Sequence, residues 1–94
     1  MWKSEKARND AIRRMIASTP GLARLWGATG PNAEACALLE RDGGYLSSGE
    51  RVLLLAAFDL WNGSGGCRVA DLLETLDGPR LRAVCTALLA RDTK

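Results

Sequence analysis

Ser47-Ser48-Gly49-Glu50, followed by Arg51-Val52-Leu53-Leu54-Leu55-Ala56-Ala57-Phe58, is the stretch whose reading decides the fold. A hydroxyl residue with a carboxylate three positions on has the form of a capping box, in which each side chain takes up the other's backbone N–H. The apolar run Val52–Phe58 alone fits a buried strand as well as a buried helix, but the cap before it and its Leu and Ala content select a helix at 48–61. Apolar nearly all round, this helix is expected at the centre of the fold.

The rest of the chain agrees. Ala and Leu number 29 together against five Val and Ile, a ratio that favours helix over sheet. Residues 4–17 read as a first helix capped by Ser4, with Ala7, Ala11, Ile12, Met15 and Ile16 inward and Lys3, Lys6, Arg13 and Arg14 on the opposite face. Asp10 is set to pair with Arg14 four residues on. Thr19 and Pro20 open a short helix that turns Leu22, Leu25 and Trp26 inward, and the turn Gly27–Asn32 leads to another at 33–41 burying Ala35, Cys36 and Leu39.

After a glycine-rich loop at 62–66, Val69, Leu72, Leu73 and Leu76 recur on one face of a helix at 69–77. Pro79 begins the last helix, 79–91, where Leu81, Val84, Cys85, Leu88 and Leu89 repeat the spacing. Beside them Ala83, Ala87 and Ala90 form a small-residue strip that faces the chain's own core or a partner's. With 94 residues there is room for one core, so the expectation is a single all-α domain over 1–94, a bundle of five or six short helices.

Histidine is absent, which removes the commonest general base, the commonest metal ligand and imidazole-based triads. Cys36, Cys67 and Cys85 match neither a disulfide framework nor paired zinc-ligand dipeptides, and fit free thiols in a reducing compartment. Met1–Arg8 lacks the apolar core of a signal peptide, so the expected location is cytoplasmic. The net charge of +2 is too small to imply nucleic acid by itself, although residues 1–26 carry +4 and residues 27–50 carry −3.

The segment Asp59–Gly65 has the outline of a calcium loop, but aligning Gly65 with the loop's sixth position puts Leu60 where the first carboxylate belongs. The same glycines fall short of a nucleophile elbow, since Asn62 replaces the first glycine, and of the dinucleotide fingerprint, since Arg68 replaces the third. Cys67 beside Arg68 has the charge environment of a thiolate but no neighbouring base or resolving cysteine.

No catalytic residue, cofactor site or metal site is assembled by these residues, and the expected class is a non-enzymatic binding protein. The leading expectation is a small adaptor or inhibitor that docks on a larger protein or forms a homodimer. It would use Trp2, the cations Lys3, Lys6, Arg13 and Arg14, or the strip at Ala83 and Ala87. Stand-alone helical proteins of this size include regulators and phage-encoded inhibitors of host systems, a likeness of size and class only. The alternative is a helix-turn-helix regulator built from the helices at 69–77 and 79–91, with Arg80 and Arg82 near bases and Arg91 or Lys94 at phosphates. Against it stand the Asp77-Gly78-Pro79 turn and the acidic residues Asp71, Glu74 and Asp77. A membrane-surface role for the first helix is disfavoured by its small, alanine-rich apolar face, and no small-molecule substrate is implied.

Overall fold

Ser4 starts the first helix: its hydroxyl oxygen accepts from the Ala7 N–H at 3.0 Å, and α1 runs Glu5–Ile16. A computed structural model describes residues 2–91 of the chain, and Lys94 lies outside the described residues. After α1 come α2 (Pro20–Ala23), a two-residue antiparallel ladder of β1 (Trp26–Gly27) with β2 (Gly30–Pro31), and α3 (Ala33–Glu40). Then follow α4 (Ser48–Asn62), α5 (Val69–Thr75) and α6 (Gly78–Ala90). The protein is all-α, with the ladder as a short clasp between α2 and α3.

The capping box forms as read. Ser47 Oγ accepts from the Glu50 N–H at 3.3 Å, and Glu50 Oε1 accepts from the Ser47 N–H at 3.0 Å, holding the Glu50 carboxyl below its ordinary pKa. At the other end Gly63 adopts a left-handed conformation (φ 79°) and returns its N–H to the Phe58 and Asp59 carbonyls. Between them every residue from Val52 to Phe58 is buried, so α4 is the central helix. Helices α1 and α5 pack on it, and α6 packs chiefly along α1. The core joins Ile12, Met15 and Ile16 of α1 and Leu22 of α2 to Leu53, Leu54 and Phe58 of α4 and Val84 of α6.

Several inward assignments are corrected. In α3 the buried side chains are Ala35 and Leu38, Leu39 is half-buried, and Cys36 points to solvent. Asp10 pairs with Lys6 at 2.7 Å, not with Arg14, so the contact runs one turn toward the N-terminus. In α5 and α6, Val69, Leu73, Cys85, Leu88 and Leu89 are exposed. The face of α6 that meets α1 is the alanine strip, with Ala87 buried and Ala83 half-buried against the side of α1 that carries Ala11 and Met15. Small side chains let two helix backbones come close, and that approach turns the leucines of α6 outward.

Candidate functional site

Helix α5 touches the core through Leu72, which packs against it, and through its C-cap Leu76, which is buried. Successive residues turn by roughly 100° around a helix, so Val69 and Leu73 fall to one side of that contact line. They are 71% and 65% exposed, while Glu74 on the same helix is exposed without an ion pair among the described residues. Asp71 is occupied locally: it accepts from the Arg68 N–H at 3.1 Å and pairs with the Arg68 guanidinium at 3.4 Å, which holds its carboxyl below the usual range.

Two residues, Leu76 and Asp77, separate α6 from α5. Asp77 is the N-cap of α6, with Oδ1 accepting from the Arg80 N–H at 2.9 Å. With Val84 and Ala87 inward, Cys85, Leu88 and Leu89 lie on the outer surface, Leu89 being 74% exposed. Arg82, one turn before Cys85 and two before Leu89, is exposed and forms no ion pair among the described residues. The last two helices thus present two apolar outer faces, one bordered by a carboxylate and one by a guanidinium.

The expected docking residues of the first helix lie elsewhere. Trp2 is half-buried and shares a concavity of about 310 Å³ with Ser4, Glu5 and Arg8. Arg13 and Arg14 sit at the far end of α1, where they line an open groove of about 390 Å³ with Asp10, Ala17 and Ala23. Lys3 and Lys6 are exposed, Lys6 paired to Asp10. At 1.5 Å per residue the two ends of α1 are about 15 Å apart, so these residues do not converge on one site. Ala83 and Ala87 are used within the chain, against α1.

Of the arginines expected at DNA, Arg80 is half-buried. Its Nε donates to Thr19 Oγ1 at 3.3 Å, and its guanidinium lies over Gly49, close enough to lower the Glu50 pKa further. Arg91 is exposed just beyond the end of α6. Cys67 is half-buried, and its thiol pKa is pushed up, first by burial and then by the carboxylates of Asp59 and Asp71. That environment opposes the thiolate that Arg68 alone suggests.

Three polar clusters carry no signature in the sequence. Asp59 accepts from the N–H groups of Gly65, Gly66 and Cys67 at 2.9, 2.9 and 2.8 Å, so the carboxylate of the calcium-loop outline holds its own backbone loop. A Cβ on Gly65 would collide with the Leu55 carbonyl oxygen, which is why glycine stands there. The Arg24 guanidinium grips Glu34 with two bonds of 2.7 and 2.9 Å, and Tyr45 joins both partners. Asn9, buried on α1, bonds to Trp26 and to the backbone of the β1–β2 turn. Each cluster ties segments 6 to 21 positions apart, and the only cue was an isolated polar residue beside an apolar pattern.

No group of three or more metal-ligating side chains and no helix long and apolar enough to cross a membrane occurs among the described residues. No family model, no curated protein and no solved structure matches this chain.

Proposed function

We propose that this protein is a small non-enzymatic binding protein, an adaptor or inhibitor that docks on a protein partner through the outer faces of α5 and α6. The observation that supports this reading is the exposure of Val69, Leu73, Leu88 and Leu89 on two consecutive helices of a chain whose other helices gather their apolar side chains into one core cluster. Single exposed aliphatics are ordinary, whereas several on neighbouring elements mark an interaction surface. Trp2 and the Arg13–Arg14 groove are secondary contacts in this reading, since they lie apart from those faces.

The helix-turn-helix reading is the weaker. Arg80 donates to Thr19, leaving Arg82 as the exposed cation in the body of α6, and Glu74 stands on the helix before it. The test is photocrosslinking in cells that naturally express the protein, from a reactive residue at position 89 and from a control at exposed Glu40. A discrete adduct from position 89, lost with Leu73→Glu, supports docking. No adduct, or the same adducts from both positions, overturns it. Binding to a random duplex that falls steeply with salt and is lost with Arg82→Ala would instead restore the DNA reading.

A further inference from the structure

We infer that the outer faces of α5 and α6 are covered by a second copy of this chain, α5 of each protomer lying on α6 of the other about a twofold axis. The inference deepens the docking reading above and rests on it. The carrying observation is complementarity between the two faces. Helix α5 offers Val69 and Leu73 with the exposed carboxylate of Glu74, and α6 offers Leu88 and Leu89 with the exposed guanidinium of Arg82 about two turns earlier, neither charge being ion-paired among the described residues. Each face supplies what the other lacks, aliphatic surface for aliphatic surface and one charge for its opposite.

Within one chain the two faces stay exposed, because α5 packs on α4 whereas α6 packs chiefly on α1. Between two chains they meet twice. An isologous interface repeats every contact, so the α5 face meets the partner's α6 face and the reverse, and both patches are covered in one assembly. The small net charge of +2 leaves little long-range repulsion between copies. Helix α5 has seven residues, too few to persist in water without tertiary contacts, and gains a second packing surface from the partner.

The test is solution mass by light scattering over about 1 to 100 µM, a range that spans ordinary dimer affinities. The wild type should approach twice the 10.1 kDa chain mass. Glu74→Arg alone places two guanidinium groups at each contact, and Arg82→Glu alone places two carboxylates there, so each variant should be weaker by about tenfold or more. An equimolar mixture of the two should recover the dimer, because in the mixed pair both contacts again join opposite charges. A monomeric wild type, a dimer indifferent to both changes, or a mixture that stays monomeric would each overturn the inference. Melting of Leu73→Glu and Leu89→Glu separates the two readings. If the wild type is monomeric and these variants melt as it does, the faces are free and a different protein is the partner. If they unfold the chain, these side chains belong to the fold and the docking reading fails as well.

Discussion

The indole N–H of Trp26 donates to the side-chain oxygen of Asn9 at 2.7 Å, and the Asn9 amide donates in turn to the carbonyls of Gly27 and Ala28, each at 2.9 Å. One buried amide on α1 thus satisfies the indole and the turn of the β1–β2 ladder together. The indole stacks edge-on against Phe58 and Trp61 at centroid distances of 5.2 and 5.9 Å, and the Arg8 guanidinium lies 4.3 Å from the centre of the Trp61 ring. Gly30 completes the arrangement: at φ 135° it takes a conformation open to glycine, and a Cβ there would stand 2.8 Å from Trp61.

Asn9→Ala should therefore destabilise the fold by about 1–3 kcal/mol, the range for leaving a buried donor unsatisfied. Urea unfolding with an unchanged denaturant slope, read by tryptophan fluorescence, checks it. A loss too small to measure would mean that water replaces the amide.

Leu54 and Leu89 should respond oppositely to truncation. Leu54 is fully buried, so Leu54→Ala should cost about 2–5 kcal/mol. Leu89→Ala should stay within about 0.5 kcal/mol when measured on the monomer at low concentration. Equal losses would place the leucine stripe of α6 inside the core.

The Glu34 carboxyl is held down to about 2 by the Arg24 guanidinium and then by the Tyr45 hydroxyl, against an ordinary value of 4.5. Because the folded value is the lower one, the stabilisation is complete above about pH 4.5 and is lost as pH falls toward 2. A carboxyl NMR titration should place the Glu34 midpoint near 2, and Arg24→Met should raise it toward the ordinary range, with the Tyr45 hydroxyl still holding it somewhat down. The Tyr45 hydroxyl, which donates to Glu34, should titrate above its ordinary range.

Cys67 should be the slowest of the three thiols to alkylate at neutral pH. Burial and the charges of Asp59 and Asp71 raise its pKa, whereas Cys36 and Cys85 stand exposed. Peptide mapping after brief iodoacetamide treatment measures this directly. Preferential labelling of Cys67 would reverse the assignment and point to a functional thiol.

The helices were legible because helix formation is local: composition, the Ser4 cap and the Ser47–Glu50 box act within one turn of the residues that carry them. They fix the all-α class and the central position of the Val52–Phe58 run, which has no polar face to offer solvent. The rest depends on neighbours distant in sequence. Helix α6 carries both a leucine stripe and an alanine strip, and each has helical spacing. Which one turns inward was decided by the surface of α1, where Ala11 and Met15 receive Ala83 and Ala87 at close approach. Asn9 reads as a polar residue on a charged helix until Trp26, 17 positions on, is folded against it. The sequence by itself determined the helices and the central one among them, since those follow from contacts within a turn. Only the tertiary structure decided which faces are hidden and which stay exposed, because burial belongs to pairs of surfaces and not to any one segment.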